Sequence, residues 1–295
     1  MPLGIRPTVD FAFKMLFGSP ENSDLLIHLL NAVLQLENPI REAEILNPFN
    51  PKQSKSDKLS IVDVKARDTT GRQFIIEVQT TLPVGLKDRL VYYTCGSFFG
   101  QLREGQGYGD LCPTISICFL TQTLFPETSA GHLQFMLFDR PNEVLLTDKM
   151  QLHFVELPKY DIREAAIGQA TKLDQWVFFL DQADEYEAES LVRLLPESAF
   201  HKATGVLEMI SRTPDLRVLY DDEAKAELDH FSALKGAREE GEARGRAEGE
   251  ARGRINLLKQ LLQQPPISET DLSSLSLSQL QELARDLERQ LSERG

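Results

Sequence analysis

Three polar residues on two short apolar segments hold the strongest chemical potential in this chain: Asp63 in LSIVDVKAR, and Glu77 and Gln79 in RQFIIEVQT. Between the segments stands Asp68-Thr69-Thr70-Gly71, where Gly71 suits the left-handed position that closes a three-residue hairpin loop with a bulge. Such a loop pairs Asp68 with Arg72. Counting outward, Lys65 opposes Ile75, Asp63 opposes Glu77 and Ile61 opposes Gln79. Asp63, Glu77 and Gln79 then share one face, and Val62, Val64, Phe74, Ile76 and Val78 line the other. Two carboxylates directly opposite each other repel and destabilise a sheet. A divalent cation removes that objection, and hard oxygen donors of this kind suit Mg2+ or Mn2+ completed by water and phosphate. The bland alternative is a solvated polar face, and a four-residue turn would move Glu77 to the opposite side.

The flanking elements must position these groups. Val9, Phe13 and Leu16 recur at helical spacing in TVDFAFKMLF (8–17), and a second helix runs from about Asn22 through HLLNAVL. Asn47, Pro48, Asn50 and Pro51 mark a loop that leads into the polar run KQSKSDK. The stretch from Val84 to Arg103 predicts a helix carrying Lys87, Arg89, Tyr92, Tyr93 and Arg103, ended by Gly105, Gly107 and Gly109. TISICFLT reads as a buried strand, HLQFMLFD and MQLHFVEL as further strands, and the chain is helical from about Thr171. This order predicts an α/β (α+β) protein with a mixed central sheet flanked by helices. The glycines of GQGYG are followed by a strand rather than a helix, so they are no dinucleotide fingerprint and no organic cofactor is expected. No Ser/His/Asp or Cys/His nucleophile motif is recognisable.

At 295 residues with 41% hydrophobic content, the chain can bury one substantial core plus a smaller module. A net charge of −13 argues against general coating of nucleic acid, so any contact with DNA must be local and helped by metal. The N-terminus has no apolar leader and no apolar run nears the roughly 20 residues needed to span a bilayer, which predicts a cytoplasmic protein without membrane contact. Cys95, Cys112 and Cys118 lack zinc-ligand spacing and read as reduced core thiols. The tail carries a duplicated octad, EGEARGRA (240–247) and EGEARGRI (248–255). Its Glu240–Arg244, Glu242–Arg246, Glu248–Arg252 and Glu250–Arg254 pairs are each worth roughly 0.2 to 0.5 kcal/mol. Gly241, Gly245, Gly249 and Gly253 each cost about 1 kcal/mol against alanine. The glycines outweigh the pairs, which predicts a poor isolated helix: a frayed linker, or a helix that self-associates by close approach along its glycine stripe. Pro265 and Pro266 precede a short amphipathic helix near 277–291.

Several blocks in order and spacing resemble the Rpn family of recombination-promoting nucleases, also called PD-(D/E)XK nuclease family transposases. They are DFAFKMLF with Asp10 and Lys14, LLNAVL, IVDVKARDTTGRQFIIEVQ, and RLVYYTCGSFFGQLREGQGYGDLCPTISICFL. The resemblance, spread over the first two hundred or so residues, implies a restriction-endonuclease-like core over 1–160; a helical region over 161–235 and a repeat-bearing helical tail over 236–295 are expected to follow it. It implies a Mg2+-dependent endodeoxyribonuclease with DNA as substrate. Asp63 and Glu77 would be metal ligands, joined by a backbone carbonyl near Val78. Gln79 stands where the wider superfamily has lysine, and Val62 where it has proline. Asp10 would be an additional acid, or alternatively a carboxylate at a helix start. Lys14 and Arg89 would contact phosphate, and Tyr92 would line the site or pack in the core. The loss of the superfamily lysine leaves a second reading open, a weak or inactive nuclease fold that acts as an assembly module through its tail. A glycosidase using Asp63 and Glu77 as acid and base is a third, unsupported by any other carbohydrate-site feature. No helix-turn-helix or zinc finger able to read bases is recognisable.

Overall fold

The computed structural model describes residues 1–49 and 62–293. Asn50, Pro51, the run KQSKSDK and Ile61 lie outside the described residues. Two compact units are formed, Met1–Glu227 and Leu228–Gly295.

The first unit opens with helices α1 (Asp10–Phe17) and α2 (Ser23–Leu34), followed by strands β1 (Ala43–Ile45), β2 (Val64–Asp68) and β3 (Gln73–Gln79). Helix α3 (Leu86–Phe99) leads to β4 (Thr114–Leu120), β5 (His132–Asp139) and β6 (Val144–Glu156). Helices α4 (Lys172–Gln182), α5 (Ala188–Leu194) and α6 (Ser198–Arg212) follow, then the long α7 (Pro214–Leu261), which contributes to this unit through Glu227. The strands form one six-stranded mixed sheet in the order β1-β2-β3-β4-β6-β5. β3, β4 and β6 run parallel at its centre, with antiparallel pairs outside them. All seven residues of β4, TISICFL, are buried, as befits a strand covered on both faces.

One face of the sheet, through Val64, Phe74, Ile76 and Phe119, packs on α1, α2, α4 and α6 around Phe13, Trp176 and Phe200. The other face packs Cys118 and Phe154 against Leu86 and Leu90 of α3. The sheet is therefore the mixed, helix-flanked one expected from the order of the elements. Helix α3 is shorter at both ends than predicted, stopping at Gly100 instead of running to Arg103. Of the three cysteines only Cys118 is a core thiol. Cys95 is exposed because it falls on the outer side of α3, and Cys112 is half-buried.

In the second unit, the remainder of α7 packs with α8 (Glu269–Ser274) and α9 (Leu277–Ser292) through Ile255, Leu258, Leu262, Leu272, Leu280 and Leu287. The octad repeat, expected to be a poor helix, lies inside the 48-residue α7. The propensity balance applied to an isolated segment, whereas burial of Ile255 and its neighbours supplies tertiary stabilisation to the end of the helix. Of the four expected pairs Glu248 meets Arg252, at 3.8 Å, whereas Glu242 pairs with Arg238, Arg244 with Glu248, and Arg254 with Glu288 of α9. Among the described residues no second helix lies against the glycine stripe: a Cβ built on Gly241, Gly245, Gly249 or Gly253 meets nothing within 4 Å. Replacing these glycines by alanine is therefore expected to stabilise the second unit by about 1 kcal/mol per site. Thermal melts followed by far-UV circular dichroism would register a higher transition, and a lower one would reveal a close contact at the stripe.

Candidate functional site

The hairpin turn fixes the site. Gly71 adopts φ 88°, Asp68 N–H donates to the Arg72 carbonyl at 3.1 Å, and Asp68 Oδ1 accepts from the Thr70 and Arg72 amides. Val64 then pairs with Ile76 and Lys65 with Ile75. One step further along this register brings Asp63, just before β2, level with Glu77. Asp63 Oδ2 accepts the Val78 N–H at 2.9 Å, which ties the carboxylate to β3. Ile61, the expected neighbour of Gln79, is outside the described residues.

Glu77 is 3% exposed, and its Oε1 is buried with no hydrogen-bond partner among the described residues. Its Oε2 lies 3.9 Å from Arg89 Nη2 and 3.5 Å from Gln79 Nε2. α3 thus delivers Arg89, and the two-residue spacing along β3 puts Gln79 beside Glu77. From α1, Lys14 Nζ reaches Asp10 Oδ2 at 2.8 Å and Asp63 Oδ1 at 3.8 Å. Asp10 therefore joins the site through Lys14. Tyr92, one turn beyond Arg89, is 73% exposed with its ring edge-on to Tyr93, which rules out the core-packing alternative.

The titration of these groups follows from their crowding. Burial first, and then the charge of Asp10, hold the Asp63 carboxyl well above its ordinary range, although Lys14 and the Val78 amide pull it down. Burial raises Glu77 to about 7 against the opposing pull of Arg89 and Lys14. Lys14 is held above its ordinary value because Asp10 and Asp63 outweigh its burial. Cys118, the β4 partner of Glu77, has its thiol pushed up by burial and by both carboxylates, so it stays protonated.

A raised carboxyl binds its proton more tightly in the folded than in the unfolded chain. The stability it contributes is complete below the ordinary value of 4.5 and is lost as pH rises through about 7. Glutamine mimics the protonated acid at all pH. In EDTA, Glu77→Gln is therefore expected to gain melting temperature relative to wild type between about pH 5 and pH 8. A constant difference across that interval in a scanning calorimeter would refute the burial of a titrating Glu77.

Two further acids come from α7 and were not anticipated. Glu227 Oε1 accepts the Asp10 N–H at 2.9 Å, anchoring the start of α1. Burial, then the Asp10 and Glu223 charges, raise Glu227 to about 7 despite that hydrogen bond, and burial and Asp10 raise Glu223 as well. In the sequence these residues sit in DDEAKAE, an acidic run that reads as a solvated helix face. Only the tertiary approach of α7 to α1 distinguishes them.

The donors suit a divalent ion. Two opposed carboxyls, both pushed up by burial and one with a buried unpartnered oxygen, offer hard oxygen donors whose ionised forms a divalent cation would stabilise. No group of three or more His, Cys, Asp or Glu among the described residues is arranged to hold a metal, so the other donors would be main chain, water and substrate. A groove of about 520 Å³ beside His28, Arg41 and Lys172 contains none of these residues.

A helix-flanked mixed sheet that presents facing carboxylates beside an arginine-bearing helix is compatible with a nuclease-type protein. Residues 7–237 match the family model described as PD-(D/E)XK nuclease family transposase, and the chain belongs to that family. Among curated proteins and among solved structures, nothing matches it. No helix among the described residues is long and apolar enough to cross a membrane.

Proposed function

We propose that the chain is a Mg2+- or Mn2+-dependent DNA endonuclease acting in the cytoplasm, where it hydrolyses phosphodiester bonds and promotes recombination or serves a mobile element. The observation that carries this reading is the buried, half-unpartnered Glu77 carboxylate opposite Asp63. Asp63, Glu77 and the Val78 carbonyl would hold the ion. When bound, the ion supplies positive charge to the scissile phosphate and acidifies an attacking water.

The chain's own residues do the rest. The Val78 amide holds the Asp63 carboxylate in place, and Glu227 fixes the first turn of α1 and with it Lys14. Gln79 orients the water through its amide. Lys14 and Arg89, 3.8 Å from Asp63 and 3.9 Å from Glu77, offer the cationic charge that Gln79 does not, and each can contact a phosphate oxygen. Tyr92 lines the approach from α3.

One observation favours a second reading, a weak or inactive nuclease fold serving as an assembly module through its tail: Lys14 already bridges Asp10 and Asp63 and partly neutralises them. Self-association of the tail would have to use surfaces such as Leu257 and Leu261, because the apolar faces of α7 and α9 bury each other. Supercoiled plasmid incubated with the homogeneous protein separates the readings. Nicking with Mg2+ or Mn2+ that EDTA abolishes supports the endonuclease, and intact plasmid under every condition selects the assembly module.

A further inference from the structure

β6 is longer than the strand it pairs with in the sheet. Only Met150–Glu156 pair with β4, so Val144–Lys149 and the facing part of β5 continue beyond it as a two-stranded ribbon. β5 is also the edge of the sheet, so among the described residues no strand lies beside its outer backbone groups. A two-stranded ribbon is marginally stable in water unless something covers it.

This ribbon is apolar on both sides. Leu137 and Phe138 on β5 are 46% and 51% exposed, and Val144, Leu145 and Leu146 on β6 are 55%, 45% and 78% exposed. With roughly 200 Å² for a fully exposed large side chain, these five offer about 550 Å² of apolar surface before any backbone is counted. That area matches the largest apolar patches of ordinary monomers, and with the strand backbone it approaches the roughly 800 Å² each partner contributes to a standard interface.

We propose that the β5–β6 ribbon is a dimerisation arm whose occupant is the same ribbon of a second copy. Three features select a second copy. An edge strand meeting itself about a two-fold axis pairs antiparallel and is self-complementary, so β5 can bond β5 of the partner along its open side. Second, two copies of a chain with net charge −13 repel, and residues 133–138 and 144–147 contain no acidic or basic side chain, so acids are not forced together there. Finally, the charged residues nearest these stretches, Asp139, Arg140 and Glu143 at the turn and Asp148 and Lys149 at the base of the arm, are of both signs. The proposal does not depend on the catalytic reading.

Sedimentation equilibrium of the full chain tests it, with Phe138→Asp/Leu146→Asp in the arm and Leu257→Asp/Leu261→Asp in the tail as the comparison. A dimeric wild type, a monomeric arm variant and a dimeric tail variant are expected, with circular dichroism and melting of the arm variant near wild type. A monomeric wild type at tens of micromolar, or an arm variant that remains dimeric, overturns the proposal. Hydrogen exchange on wild type gives a readout that needs no variant. β5 amides should lose protection on dilution, and protection independent of concentration overturns the arm.

Discussion

Asp63→Ala and Glu77→Ala are each expected to reduce metal-dependent plasmid cleavage about 10³-fold or more, equivalent to roughly 4 kcal/mol of transition-state stabilisation. Each substitution removes half of the carboxylate pair, and neither leaves a replacement. Gln79 is neutral, Asp10 is engaged by Lys14, and no group of three or more His, Cys, Asp or Glu among the described residues is arranged to hold a metal. The fold should survive both changes. Glu77→Ala removes a buried carboxylate whose Oε1 has no partner, and Asp63→Ala removes one acceptor, that of the Val78 amide, while relieving crowding with Asp10 and Glu77. Circular dichroism and melting would verify this alongside initial nicking rates. Rates within tenfold of wild type in either variant would move the chemistry elsewhere.

The second large effect concerns stability. Trp176, the single tryptophan, is completely buried, and its ring lies 4.6 Å from that of Phe200 and 5.4 Å from that of Phe17. Its indole N–H donates to His28 Nδ1 at 2.8 Å, and His28 in turn meets Glu197. Trp176→Ala should destabilise the first unit by about 3–5 kcal/mol, because it opens a large cavity where α1, α2, α4 and α6 meet and strands the imidazole. Urea unfolding followed by circular dichroism measures this directly. A loss below about 1 kcal/mol would mean that Trp176 is not at the centre of the core.

Much of the site was legible because a hairpin's side-chain period is two and its turn residues set the register. Asp68 and Gly71 are enough to place Asp63 level with Glu77. The all-apolar TISICFL likewise announces a central strand. What escaped depends on contacts between residues distant in the chain. Glu223 and Glu227 meet α1 across more than two hundred residues, and nothing local separates them from any acidic helix face. Lys14 could be read as balancing Asp10, but its position between Asp10 and Asp63 requires the packing of α1 beside the hairpin. The helical state of the octad in the full chain was not legible for a similar reason: helix propensities describe a segment alone, and α8 and α9 bury the apolar residues that follow it.

Cleavage assays can be mimicked by traces of a contaminating nuclease, whereas stoichiometric metal binding cannot. The most direct measurement is therefore a Mn2+ titration followed by electron paramagnetic resonance on wild type and Glu77→Gln near neutral pH. Saturable binding by wild type that weakens at least about tenfold in Glu77→Gln is the predicted result. No binding by wild type, or equal affinity in the two proteins, would contradict a metal centre built on Asp63 and Glu77.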